Sequence, residues 1–420
     1  MSMEKLYVEG KRGLRGELVC HGAKNSVLPI LAACAVTGQE VLLHNCPALT
    51  DVDISLQILA HLGCECRREG NDVAVDAGTL CCAQVPQPLM LQMRSSIVFL
   101  GALTARCGEA CLTYPGGCDL GARPIDLHLD ALRALGAQVT EEHGLISCSA
   151  PEGLRGASIA LYFPSVGATE NILIAASRAR GRTVLTNAAQ EPEVVDLARF
   201  LNACGANISG AGESTIVIEG VEDFHPCEFT VMPDRIEAVT FLAAAAITGS
   251  VLTVHKTDVD SLRAVLPIFL ESGCQVTCQG DSVSLRAPER LNGVKMIRTM
   301  PYPGFSTDAQ ALVMAMLATA KGTSVFVENI FENRYKHAYE LNKMGANIKT
   351  EGRMAVVEGV EGLTSCPVTA TDLRSGAALL VAGLAAEGVT EIGHIFHIRR
   401  GYQSLWDDLN SVGAKIEQRD

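Results

Sequence analysis

Residues Asp126–Ala137 read DLHLDALRALGA: apolar side chains at helical spacing, then the step Leu135-Gly136-Ala137 and a following stretch of strand type. An amphipathic stretch that ends on Gly predicts an outer helix with a left-handed C-terminal cap. The same step recurs at Leu62-Gly63-Cys64, Cys204-Gly205-Ala206, Ser272-Gly273-Cys274, Met344-Gly345-Ala346 and Val412-Gly413-Ala414. Neighbouring copies lie about 70 residues apart, long for a solenoid repeat and right for a small α/β unit. In the fourth copy the helix is expected over Leu262–Leu270, LRAVLPIFL.

A second marker also occurs six times, an Ala-rich apolar helix ending near Gly38, Gly108, Gly181, Gly249, Gly322 or Gly388. These segments, such as SVLPILAACAVTG, SSIVFLGALTARCG and RIEAVTFLAAAAITG, are apolar nearly all round and are expected to be buried. Each unit then reads strand, buried helix, strand, outer helix, two strands. The last unit stops at Lys415–Gln418 without a final strand, while Leu6–Gly10 (LYVEG) resembles Ile216–Gly220 (IVIEG) and Ala355–Gly359 (AVVEG). Gly13–Gly16 (GLRG) likewise repeats Gly153–Gly156, and the N-terminal strands are therefore expected to complete the last unit. The reading is α/β, with two domains of three units each: residues 1–21 plus 231–420, and residues 22–230 carrying the Cys118 loop.

A chain of 420 residues exceeds one ordinary core, in keeping with two domains. A formal net charge of −13 argues against a general nucleic-acid binder. No apolar run reaches the length of a membrane span, and Met1–Gly10 (MSMEKLYVEG) lacks a secretory apolar region. The sixteen cysteines, in pairs such as Cys64/Cys66, Cys81/Cys82 and Cys274/Cys278, have no matching partner pairs for zinc and only ten His beside them. The expectation is a cytoplasmic protein with reduced thiols, no metal, no cofactor, no nucleic acid, no membrane, and a monomer.

The residues that open the buried helices carry the functional signal. They read Lys24-Asn25-Ser26, Arg94-Ser95-Ser96, Ser165-Val166-Gly167-Ala168, Asp234-Arg235, Ser306-Thr307-Asp308 and Asp372-Leu373-Arg374. Ser, Asn and Asp there are N-caps first of all. Lys or Arg in four of the six is unfavourable beside the positive end of a helix dipole unless an anion arrives. Phosphate or carboxylate is the ligand such starts suit. Tyr114–Pro124 (YPGGCDLGARP) reads as a mobile loop presenting one thiol, Cys118, with Arg123 close by. A thiol beside a guanidinium can act as proton donor or nucleophile. Glu332-Asn333-Arg334-Tyr335 and Arg399-Arg400-Gly401-Tyr402 each place Arg just before an outer helix, and a solvated basic strand end is the plain alternative.

Taken together, GAKN at Gly22–Asn25, PGGCxxGARP at Pro115–Pro124, PDRIE at Pro233–Glu237, FENR at Phe331–Arg334, TDLR at Thr371–Arg374 and RGY at Arg400–Tyr402 resemble the UDP-N-acetylglucosamine 1-carboxyvinyltransferases. The six motifs run in order over essentially the whole chain. The resemblance implies two inside-out α/β barrel-like domains, each of three βαβαββ units, with the active site between them. It implies transfer of the enolpyruvyl group of phosphoenolpyruvate to the 3-hydroxyl of UDP-N-acetylglucosamine, the first committed step of peptidoglycan synthesis.

By the same resemblance, Lys24, Arg123 and Arg400 hold the phosphate of phosphoenolpyruvate, and Arg334 and Arg374 its carboxylate. Cys118 protonates the vinyl carbon, Asp308 meets the attacking sugar hydroxyl, and Asn25 sits near the tetrahedral intermediate. Arg94 lies near the sugar nucleotide; Arg123, Pro124, Ile125, Asp126 and Leu127 line the uridine diphosphate with Ser165, Val166 and Gly167, and Ile330 meets it through its backbone. One position departs from the pattern: Arg399 stands where the family commonly has Asp, placing a second charge beside Arg400. The alternatives are 3-phosphoshikimate 1-carboxyvinyltransferase, whose pattern lacks the PGGC thiol, and a catalytically silent nucleotide-sugar sensor. A dinucleotide-binding oxidoreductase is disfavoured, since no GxGxxG follows a first strand.

Overall fold

The computed structural model describes residues 4–116 and 124–419. The repeated Gly step appears directly in the backbone: Gly63, Gly136, Gly205, Gly273, Gly345 and Gly413 all hold φ between 89° and 112°. A side chain would resist that conformation by about 1–2 kcal/mol, so each outer helix stops and the chain turns into a strand.

Six inner helices follow the second marker: α1 (Lys24–Thr37), α2 (Phe99–Cys107), α3 (Val166–Ala176), α4 (Arg235–Ile247), α5 (Thr307–Leu317) and α6 (Leu373–Ala385). They are buried over most of their length, the last turn of α2 at Cys107 reaching solvent, with all residues from Ala309 to Leu317 in α5 and from Arg235 to Ala246 in α4 shielded. Removing one Leu side chain from such a helix would cost about 2–5 kcal/mol. Gly38 ends α1 at φ 63°, and a Cβ there would lie 2.7 Å from Arg106 Cζ. Arg106 thus packs flat over the helix terminus, where a cation suits the dipole.

The strands form four-stranded sheets with one recurring plan: a parallel pair, then an antiparallel hairpin. In the first, Cys227–Thr230 runs parallel to Glu40–His44, which pairs with Asp72–Asp76 and through it Glu65–Glu69. The sheet of Glu109–Thr113, Leu145–Ser149 and Gln138–Glu142 has three strands, with a parallel bridge from Gln84 to Cys111 in the fourth place. Burial alternates along the strands, one face packing on the inner helices. The six sheets remain separate, and no closed barrel is formed among the described residues.

The N-terminal strands divide, contrary to the expectation that both complete the last unit. Lys5–Glu9 does so, pairing with Val389–Gly393 and Lys415–Arg419. Arg15–Val19 instead runs parallel to Val251–His255 and completes the fourth unit. The resemblance of LYVEG to IVIEG marks the hairpin strand, whereas Gly13–Gly16 (GLRG) repeats Gly153–Gly156, which leads into the parallel strand Ser158–Ala160, and Arg15–Val19 takes that parallel place.

Two predicted helices are also shorter. Over Leu262–Leu270 there is a 3₁₀ turn at Asp260–Leu262, and the α-helix begins only at Leu266, with Pro267 in its first turn. Proline lacks the N–H that an earlier start would use, and its ring disfavours a helical residue before it. The SSIV start of the second inner helix is a 3₁₀ turn, Arg94–Val98, because the Ser96 hydroxyl bonds back to the Met93 carbonyl at 2.6 Å.

The described chain separates into two units, residues 4–21 with 233–419, and residues 22–116 with 124–232. Each has its own apolar core, one running from Val27 to Val231 and the other from Leu6 to Ile416. No helix among the described residues is long and apolar enough to cross a membrane.

Candidate active site

The openings of the inner helices fall into two kinds. Ser165, Asp234, Ser306 and Asp372 accept hydrogen bonds from the first backbone N–H groups of α3, α4, α5 and α6. Ala23 before α1 and Met93 before the 3₁₀ turn offer no side-chain cap, and these are the starts opened by Lys24 and Arg94.

In the unit of residues 233–419, α5 and α6 bring three predicted residues into contact. Asp308 lies between two guanidiniums: Arg334 Nη2 is 3.2 Å from Oδ1, and Arg374 Nη2 is 3.1 Å from Oδ2. Arg334 also donates to the Thr307 carbonyl, at 3.0 Å from Nη2, and lies 3.9 Å from Asp372. Arg334 and Arg374 are 3 % and 2 % exposed, so the solvated-strand-end reading fails for Arg334. Nε and Nη1 of Arg374 find no hydrogen-bond partner. Burial is the largest influence on Arg374 and opposes its charge, yet Tyr402, Asp308 and Asp234 outweigh it, so the guanidinium stays protonated. Its face lies 5.5 Å from the Tyr402 ring centroid. A buried cation with idle donors is costly unless a planar anion completes it.

Glu328 builds the adjoining loop. Its buried carboxylate accepts from Thr299 Oγ1 (2.8 Å), Thr307 Oγ1 (3.0 Å) and the backbone N–H groups of Ile330 (2.8 Å) and Phe331 (3.1 Å). One side chain thereby sets Ile330 against the start of α5, next to Asp308. His337 lies fully buried on the same side, its pKa lowered to about 4 by burial first and then by Arg334, against the opposing pull of Asp372. Neither residue stands out in the sequence: Glu328 ends a strand, and a buried His looks like any other.

Arg400 closes the 3₁₀ turn Ile395–Arg400 and, after burial, is the main influence lowering the His397 pKa. Arg399 lies 3.2 Å from Glu4, donates to Gln418 at 2.9 Å and stacks 5.8 Å from the Trp406 ring centroid. The second charge is thus neutralised on the chain's own N-terminal segment, a pairing that adjacency to Arg400 did not suggest.

In the unit of residues 22–232, Lys24 Nζ pairs with Asp51 at 2.7 Å, both side chains nearly buried. Asn25 follows it, half-buried. Arg94 Nη1 reaches the Pro115 carbonyl at 3.4 Å. Asp126 accepts from the Tyr162 hydroxyl at 2.6 Å; Ile125 is buried, Leu127 half-buried and Pro124 exposed. Ser165, Val166 and Gly167 form the first turn of α3, half-buried together. Cys118 and Arg123 lie outside the described residues. Gly116 of the PGGC motif is required for packing, since a Cβ there would fall 2.0 Å from the Leu91 carbonyl oxygen. One group among the described residues could hold a metal, His21, Glu237 and Asp408, whose ligand atoms lie within 4.8 Å of one another. Hydrogen bonds inside the group, such as His21 Nδ1 to Glu237 Oε1 at 3.1 Å, account for its arrangement.

Residues 8–409 match the family model described as EPSP synthase (3-phosphoshikimate 1-carboxyvinyltransferase). The chain belongs to this enolpyruvyl transferase family. Within it, the chain is 49% identical over 414 residues to UDP-N-acetylglucosamine 1-carboxyvinyltransferase 2 of Caldanaerobacter subterraneus subsp. tengcongensis, covering 99% of each. It is 48% identical over 418 residues to the protein of the same name from Carboxydothermus hydrogenoformans, again covering 99% of each. Among solved structures, the enolpyruvyl transferase NikO from Streptomyces tendae superposes with a TM-score of 0.90 at 26% identity, over 100% of this chain and 99% of that one. An EPSP synthase from Acinetobacter baumannii superposes at 0.79 with 19% identity over 100% of both chains, a likeness of fold. The enolpyruvyl transferase fold thus agrees with the six repeated units read from the Gly steps.

Proposed function

We propose that the protein transfers the 1-carboxyvinyl group of phosphoenolpyruvate to the 3-hydroxyl of UDP-N-acetylglucosamine, releasing phosphate, as the first committed step of peptidoglycan synthesis. The observation that carries this reading is the Asp308–Arg334–Arg374 cluster, with two buried, idle donors on Arg374. It supports a site for a planar carboxylate next to a potential base, and relatives about half identical over their full length carry the name of this reaction. The protein works in the cytoplasm as a monomer, without metal or cofactor.

In this reading Arg334 and Arg374 take the carboxylate of phosphoenolpyruvate, while Lys24, Arg123 and Arg400 take its phosphate, with Arg supplying bidentate geometry. With both carboxylate oxygens engaged by arginines, Asp308 is a poor base in the free chain. Phosphoenolpyruvate, by offering Arg374 another carboxylate, releases one oxygen of Asp308 for the sugar hydroxyl. Asp308 then accepts the hydroxyl proton as its oxygen bonds C2, and Cys118 gives a proton to C3. The tetrahedral adduct lies by Asn25. It collapses by loss of a C3 proton and cleavage of the C2–O bond, so the bridging oxygen leaves with phosphate. Arg94, Pro124, Ile125, Asp126, Leu127, Ser165, Val166, Gly167 and Ile330 hold the sugar nucleotide. Cys118 is also the nucleophile an epoxide of the fosfomycin type would alkylate.

The description of the matching family supports a second reading, with shikimate 3-phosphate as acceptor. Phosphate release from phosphoenolpyruvate, assayed with each acceptor in parallel, separates them. Release with UDP-N-acetylglucosamine alone is expected; release with shikimate 3-phosphate alone would overturn the proposal, and silence with both would favour the sensor.

A further inference from the structure

Asn171, on α3 and only 1 % exposed, ties three helix starts together through one carboxamide. Its Oδ1 accepts the Gly101 backbone N–H of α2 at 2.9 Å. Its Nδ2 donates to the Ile97 carbonyl at 3.3 Å and lies 3.0 Å from His128 Nδ1, on the helix Asp126–Ala134. A Cβ at Gly101 would fall 2.1 Å from Oδ1, so only glycine admits this approach.

The two backbone partners fix which end of the amide is oxygen, because a backbone N–H can only donate and a carbonyl can only accept. Nδ2 therefore faces His128 as a donor, and His128 Nδ1 must accept. The ring then carries its proton on Nε2 and is neutral; an imidazolium would set N–H against N–H. The Cε1–Nε2 edge of that ring packs on the first turn of α3, where a Cβ added to Gly167 would lie 3.3 Å from Cε1 and 3.5 Å from Nε2. The segments joined are those carrying Arg94, then Asp126 and Leu127, then Ser165, Val166 and Gly167.

We infer that Asn171 and His128 are a positioning pair for the nucleotide-sugar part of the site. Asn171 holds the three helix starts in register and keeps His128 in the Nε2–H form, so that the diphosphate meets preorganised, neutral donors rather than groups that must first be ordered. This rests on the reading of UDP-N-acetylglucosamine as substrate. It adds two residues that act through others, and neither belongs to the chemistry at phosphoenolpyruvate.

The test begins with calorimetric binding of UDP-N-acetylglucosamine to the unaltered protein; failure there overturns the substrate reading itself. Nitrogen NMR of the histidines, with His128 assigned by its loss in His128→Asn, then reports the ring directly. The Nε2–H neutral pattern is expected, and an imidazolium or Nδ1–H pattern overturns the pair whatever the substrate. Asn171→Asp keeps the shape but removes both N–H donors; UDP-N-acetylglucosamine binding is expected to weaken about tenfold or more, with KM for phosphoenolpyruvate within about twofold. Should Asn171→Asp fail to fold, His128→Asn decides, since it keeps an acceptor facing Asn171 but lacks the Nε2–H. A folded variant that holds UDP-N-acetylglucosamine as tightly as the unaltered protein, or loses both substrates equally, overturns the proposal.

Discussion

In residues 233–419 the candidate side chains hold one another: Asp308 is gripped by Arg334 and Arg374, and Arg334 approaches Asp372. In residues 22–232 Arg94 reaches the Pro115 carbonyl and Asp126 accepts from the Tyr162 hydroxyl, while Lys24 pairs with Asp51. Buried charge persists only where it is paired and hydrogen-bonded. The first arrangement therefore suits a small, doubly anionic ligand that must exchange with an internal counter-ion. The second suits a larger ligand recognised by helix starts and backbone.

The contrast breaks most sharply at Asp308. Asp308→Ala is expected to lower kcat on the order of a thousandfold while leaving the Kd of UDP-N-acetylglucosamine within about tenfold, by steady-state kinetics and calorimetry. Equal losses in both would reduce Asp308 to a binding group. Arg374→Met comes next: KM for phosphoenolpyruvate should rise about a hundredfold, with Arg374→Lys recovering little because an ammonium lacks the bidentate fork. An unchanged KM would remove the carboxylate site from this unit. Glu328→Gln weakens four hydrogen bonds at once and should lower unfolding stability by about 1–3 kcal/mol in urea, with kcat falling further than sugar-nucleotide affinity.

His337 provides a pH test of the same unit. Its imidazole is neutral when folded, with a pKa near 4 against an ordinary 6.5, so the unfolded chain takes up the proton first on acidification. The stability this contributes is complete above about pH 6.5 and is lost as pH falls toward 4, amounting to about 3 kcal/mol. His337→Gln should flatten that part of the urea-midpoint profile; an unaltered slope would place the acid sensitivity elsewhere. The smallest effect concerns both units alike. Asn202, Asn342 and Asn410 each exchange two hydrogen bonds with the backbone of the residue six positions on, Ile208, Ile348 and Ile416. Each Asn→Ala should cost about 1 kcal/mol, whichever unit it lies in.

What could be read from the chain was whatever repeats or ends an element. The Gly steps and Ala-rich segments recur six times, and each forces a left-handed turn or a buried helix, so the units and the inner helices were legible. The helix-opening Lys and Arg residues could be read as candidates for anion binding, because a dipole makes them unfavourable otherwise, but the carboxylates that Lys24 and Arg374 meet within the protein, Asp51 and Asp308, could not. Glu328 and Asn171 were not, since their roles come from several backbone groups distant in sequence meeting one side chain. Arg399 could be read only as a second charge beside Arg400, because its partner, Glu4, lies at the far end of the chain. The Asn and Ile of each brace flank a Gly step in the sequence, yet their pairing required seeing the hydrogen bonds.

The central claim is C–O cleavage with transfer of the vinyl group to the sugar. Phosphoenolpyruvate carrying isotopically heavy oxygen at the bridge, turned over with UDP-N-acetylglucosamine, tests it most directly by mass spectrometry. The account predicts that all the label appears in phosphate and that the sugar nucleotide gains one carboxyvinyl group. Label retained in pyruvate, with the sugar nucleotide unchanged, would contradict it.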